Sequence, residues 1–132
     1  MSNWKIVNLQ NDVNDSAAGR LDGLEVRMAR NDLESRDVGV SLFRYGPDVR
    51  NPVSHQHREQ EEVYVIVSGS GRVRLDDEIK DVRQWDVIRV DPAVVRAFEA
   101  GPDGMDVVAV GGPKPEGGDG ETTDSPWPDA DG

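Results

Sequence analysis

An all-β domain is predicted, an antiparallel sandwich or barrel, and three observations predict it. Short segments alternate apolar and polar residues with period two, the side-chain period of a half-buried strand. They recur at intervals of roughly ten residues, with turn-forming Gly, Pro, Asp and Asn clusters between them. No segment carries apolar residues at helical spacing. A chain of 132 residues holds one domain with a real core.

The elements follow in order. Residues 1–23 form a mixed N-terminal segment, in which Trp4-Lys5-Ile6-Val7 reads as a short edge strand. A polar loop follows, with a turn of helix near Asp15-Ser16-Ala17-Ala18. The barrel is assigned to residues 24–112. Leu24 to Met28 alternates and reads as a strand, Asn31-Asp32 as a turn, and Val38 to Tyr45 as the next strand, ended by Gly46-Pro47-Asp48. Val63 to Val67 is almost wholly apolar, and Gly69-Ser70-Gly71 is expected to join it to a half-buried strand in which Val73 and Leu75 alternate with Arg72, Arg74 and Asp76. Asp77-Glu78 is a turn. Ile79, Val82 and Val87 to Val90 continue the sheet, and Asp91-Pro92-Ala93 turns it. Val94 to Ala100 and Met105 to Val110 read as two strands separated by a strong turn, Gly101-Pro102-Asp103-Gly104. Residues 113–132 are Gly, Pro, Asp, Glu and Thr with Trp127 as the one large apolar side chain. Such a segment buries too little to offset chain entropy, and a disordered acidic tail is expected.

Composition excludes several function classes. The formal charge of -11 repels phosphate backbones and anionic lipids, so neither nucleic-acid nor membrane partners are expected. There is no cysteine, hence no disulfide and no thiolate site. The start of the chain lacks a basic-then-apolar leader, which makes a cytoplasmic protein the expectation. Acidity comes from 17 Asp against 9 Glu, and the basic residues are 12 Arg against 3 Lys. That skew fits a protein working in high salt, and it equally fits ordinary solubility.

One stretch suggests chemistry. His55 and His57, the two histidines of the chain, sit two apart, so on a strand both imidazoles leave the same face. Glu62 follows five residues later. Two imidazoles and a carboxylate on one side of a sheet make a first shell for a divalent transition metal, Fe, Mn, Ni, Cu or Zn. The Gly69-Ser70-Gly71 segment joins strands and no helix or Lys follows it, so it is not a phosphate loop and no nucleotide cofactor is expected.

These residues resemble the cupin superfamily, small antiparallel β-barrels of the jelly-roll type. The first cupin motif runs Gly, a spacer, His-x-His, three or four residues, Glu, six residues, Gly, matched here by Gly46, His55, His57, Glu62 and Gly69 with a longer first spacer. Glu61 is the rival carboxylate, but it faces away from Glu62 on a strand, and the six-residue gap to Gly69 selects Glu62. The second motif is matched by residues 85–99 with two departures. Trp85 stands where Gly is usual, and Arg96 occupies the position of a fourth ligand, a histidine. The resemblance covers about residues 36–111 and implies a single-domain cupin barrel, a homodimer, and a small-molecule pocket. It does not imply a reaction, since one fold hosts many.

Arg96 leaves two readings open. A guanidinium cannot ligate a metal and repels one nearby. Either His55, His57 and Glu62 hold a metal while Arg96 binds a carboxylate ligand, or Arg96 pairs with Glu62 in the metal's place and the protein is a metal-free binding or sensing module. Tyr64, Phe98 and Trp85 are candidates to line the pocket and contact substrate, against the plainer reading that they are core.

Overall fold

A computed structural model describes residues 3–129 of the chain, and among these there is no helix. Eight strands form one curled antiparallel sheet: β1 Leu24–Met28, β2 Gly39–Tyr45, β3 Ser54–His57, β4 Glu62–Leu75, β5 Glu78–Arg83, β6 Val87–Val90, β7 Arg96–Gly111 and β8 Gly120–Thr123. Ladders join β1-β2-β7-β3-β8 in that order, and β4 pairs with β5, β6 and β7. Inward-facing Tyr64, Ile66, Val73, Phe98, Met105 and Val107 form the centre of the core. Among the described residues no helix is long and apolar enough to cross a membrane.

β4 and β7 are the two long strands, and they correct two expected chain reversals. Each glycine cluster bends its strand without turning it back. β4 runs through Gly69-Ser70-Gly71, and β7 runs through Gly101-Pro102-Asp103-Gly104. The two strands stay paired on both sides of the bend, with Gly69 opposite Met105 and Gly71 opposite Ala100, so four residues of β7 bulge opposite one of β4. The crossing is too close for side chains. A Cβ on Gly69 would collide with the Gly104 carbonyl oxygen, and one on Gly71 with that of Glu99. Bulges of this kind add the curvature that closes a sheet into a barrel.

The two ends of the chain also differ from expectation. Trp4 to Val7 forms no strand, and Trp4 and Ile6 are exposed; alternation without a partner edge is not enough to make one. The segment expected to be a disordered tail packs on the barrel as far as residue 129. β8 adds to the edge of β3, with Ser54 to His57 opposite Thr123 to Gly120. Buried Arg74 holds Ser125 through its carbonyl and hydroxyl oxygens at 2.7 and 2.6 Å. The Trp127 ring is buried with the Arg50 guanidinium 4.1 Å from its centroid. Asp129 accepts from both Arg50 and Arg72. The acidic composition that argues for disorder supplies carboxylates to arginines waiting on the barrel. Pairing with a sheet edge needs backbone groups, not apolar side chains. Residues 130–132 lie outside the described residues.

Candidate metal site and cavity

β3 sets both imidazoles on one face, their ring centroids 5.2 Å apart and edge to face. Glu62, the first residue of β4, meets them there. Its Oε1 lies 3.0 Å from His57 Nε2 and 3.5 Å from His55 Nε2. All three candidate ligand atoms lie within 4.8 Å of one another. Donors about 2.1 Å from a shared ion would stand roughly 3.0–3.4 Å apart, so the spacing fits a first-row divalent metal.

The chemistry of the donors fits too. Asp119, in the segment before β8, lies 3.0 Å from His57 Nδ1 through Oδ1. Its Oδ2 accepts the backbone N–H groups of Glu59 and Gln60 at 2.6 and 2.8 Å. Burial would raise the Asp119 pKa, but these N–H donors and His57 outweigh it and hold it down at about 2. A carboxylate there orients His57 so that Nδ1 carries the proton and Nε2 the lone pair, the arrangement of metal-ligating histidines. Nε2 is buried and makes no hydrogen bond. It faces a carboxylate oxygen at 3.0 Å without the alignment of a hydrogen bond, a juxtaposition that a cation between the two would satisfy.

Electrostatics draw the cluster together. Burial pulls the Glu62 pKa upward, but His55, His57 and Tyr64 outweigh it, leaving the carboxyl well below its ordinary range. Glu62 in turn raises the pKa of His57, against burial and with help from Asp119.

Arg96, fully enclosed at the start of β7, forms the floor of this cluster. Its guanidinium donates to Glu62 Oε1 at 3.2 Å, to the Pro92 and Val94 carbonyls at 3.0 and 2.7 Å, and to the Tyr64 hydroxyl at 3.3 Å. Tyr64 donates to the same Oε1 at 2.6 Å. All three guanidinium nitrogens are thus engaged by protein groups, and Arg96, expected to contact a ligand, is not among the residues that line the cavity. Trp85 is likewise remote, 68% exposed in the turn between β5 and β6. Its φ of 75° puts it in the left-handed region, which explains why a glycine suits that position. Tyr64 and Phe98 do face the cavity, ring centroids 4.9 Å apart.

The cavity has a volume of about 510 Å³ and is open at one side. His55, His57 and Glu62 stand in its wall with Phe43, Tyr45 and Phe98, and the tail closes part of the mouth through Gly120, Glu121 and Thr122. Sequence reasoning missed Gln60 and Arg30, which also line this wall, and Asp119, which holds His57 and the Gln60 backbone from behind it. Asp119 lies in a stretch that composition marks as disordered, and only the Thr122-Thr123 pair hints at a strand there.

No family model matches the sequence. An uncharacterised protein of Streptomyces coelicolor is 31% identical over 102 residues, which are 73% of this chain and 95% of that protein. Among solved structures, a cupin protein of Bacteroides fragilis superposes with a TM-score of 0.71 at 21% identity, covering 86% of each chain. The chain has the cupin fold. A variant of Bacillus subtilis oxalate decarboxylase superposes with a TM-score of 0.73 at 22% identity, over 93% of this chain and 32% of that one. The chain therefore spans about a third of the decarboxylase. KdgF of a Halomonas species matches with a TM-score of 0.66 at 15% identity, over 84% of this chain and 95% of that one.

Proposed function

We propose that this cupin holds one divalent transition metal through His55, His57 and Glu62 and presents it to a small organic ligand in the cavity. The observation that carries the reading is His57 Nε2, a buried ring nitrogen with no hydrogen bond, aimed at the Glu62 carboxylate while Asp119 engages the other ring nitrogen. Two imidazoles and one carboxylate leave coordination positions open for a ligand and suit Fe, Mn, Ni, Cu or Zn. The manganese centres of Bacillus subtilis oxalate decarboxylase support a divalent metal in this fold. Arg96 and Tyr64 act on Glu62: they fix the carboxylate and moderate its charge, Arg96 from outside the cavity and Tyr64 from its wall.

A second reading rests on the 3.2 Å contact between Arg96 and Glu62. Arginine and tyrosine already satisfy that carboxylate oxygen, so a metal-free binding module with an ion pair at the floor is self-consistent. Metal analysis of protein purified without added metal separates the two. The proposal expects about one equivalent, retained through dialysis and lost in His55→Ala and His57→Ala, because two remaining ligands hold a metal poorly. Stoichiometric metal in the double histidine variant overturns it.

A further inference from the structure

Arg30, between β1 and β2, occupies a notch made for it. Gly39 of β2 and Gly111 of β7 are direct partners across their ladder. A Cβ on Gly39 would come 2.6 Å from Arg30 Nη2, and one on Gly111 would come 2.5 Å from Gln60 Nε2. The paired glycines thus leave the space that the guanidinium and the amide fill. Arg30 Nη2 donates to the Gly112 carbonyl at 2.8 Å, and Gln60 Nε2 donates to the same oxygen at 3.0 Å. Nη1 is enclosed and has no hydrogen-bond partner. Among the described residues no carboxylate pairs with this guanidinium. A charged donor shut away from water without an acceptor is costly, so a position of this kind calls for an explanation.

The cavity supplies one. Arg30 lines it, and Lys114 adds an exposed second cation at its mouth, on a protein of net charge -11. Gly111 is also the cross-strand partner of Glu62. Partners across a ladder present their side chains to one face, so Gly39, Gly111 and Glu62 form a row beneath the cavity. Strands lie about 4.8 Å apart, which puts the guanidinium notch one to two strand spacings, roughly 5–10 Å, from Glu62.

We propose that Arg30 is the anion-binding residue of the cavity, its guanidinium turning to bring the unpaired Nη1, enclosed in the free protein, onto the carboxylate of a small organic acid whose other end reaches the His55–His57–Glu62 cluster. The ligand class is a short acid with a carboxylate at one end and an oxygen donor a few bonds away. The contact of the far end rests on the metal reading above; the Arg30 contact does not.

Calorimetry with linear dicarboxylates from oxalate to adipate tests the proposal on metal-loaded and metal-stripped protein. At least one member should bind the loaded wild type at millimolar concentration or below. Arg30→Gln should weaken that binding about tenfold or more, the loss of a charge-assisted contact, with metal content unchanged. Arg30→Lys keeps the charge, loses the fork and should fall between, and it serves alone if Arg30→Gln does not fold. No binding of any member to the loaded wild type, or wild-type affinity in the variant that folds, overturns the proposal. Arg30-dependent binding that persists in metal-free His57→Ala upholds Arg30 whatever becomes of the metal reading.

Discussion

Two of the carboxylate–guanidinium networks that brace this cupin fold differ in their access to water. At the barrel floor, Arg96 is fully enclosed and Glu62 nearly so. At the surface, Arg50 and Arg72 clasp Glu99 and Asp129, all four partly exposed, at distances as short as 2.5 and 2.7 Å. By distance alone the surface clasp is the tighter. Removing one partner strands a charge in the floor, whereas water and salt re-solvate whatever is stranded in the clasp. Burial, not separation, decides what each network is worth when broken.

The largest expected effect breaks the floor. Arg96→Met should destabilise the protein by about 3–5 kcal/mol, because Glu62 loses its cation while still enclosed. Arg72→Met in the clasp should cost less than about 1 kcal/mol. Urea melts of the two variants check the contrast, and equal losses would remove it. Adding metal to Arg96→Met should recover part of the loss, since the ion replaces the missing positive charge beside Glu62.

A smaller effect sharpens the floor's link to the tail. Asp119→Asn keeps the shape but removes the charge that orients His57. Metal affinity should fall by about 10–100-fold, read by competition with a chelator. Unchanged affinity would mean that Asp119 only anchors the chain.

The smallest effect is the pH response of the clasp. The Arg50 hydrogen bond, working against burial, lowers the Asp129 pKa to about 2, and Arg50 and Arg72 outweigh burial to lower that of Glu99. Both carboxylates are depressed in the folded state, so what they contribute is present above their unfolded values, near 4, and is lost as pH falls through their folded values. Trp127 should therefore loosen from Arg50 between roughly pH 4 and 2. Its fluorescence, in a variant with Trp4 and Trp85 replaced by Phe, follows the release. A signal flat to pH 2 would show that Ser125 and β8 hold the tail without the clasp.

The floor and the clasp were unequally legible in the sequence. His55, His57 and Glu62 were readable because a two-residue spacing on a strand fixes a shared face. The all-β fold was readable from alternation and turns. Arg96 was visible as a departure from the motif, yet its orientation depended on the Pro92 and Val94 carbonyls, backbone groups no sequence pattern exposes. Gly69 and Gly101 looked like chain reversals because a glycine favours a tight turn and a strand crossing alike, and only the partner strand distinguishes them. The tail failed for a different reason. Its stability comes from arginines 50 and more residues away, and composition within a window is blind to them.

The pairing of His57 with Asp119 has a consequence in time. The two residues are 62 positions apart, and a ribosome adding about 5–20 residues per second needs about 3–12 s to pass from one to the other. From the addition of Glu62 onward, the emerging chain has its three candidate metal donors but not the carboxylate that orients His57. Under the proposed metal reading, the cluster gains the carboxylate that orients His57 only when β8 pairs with β3.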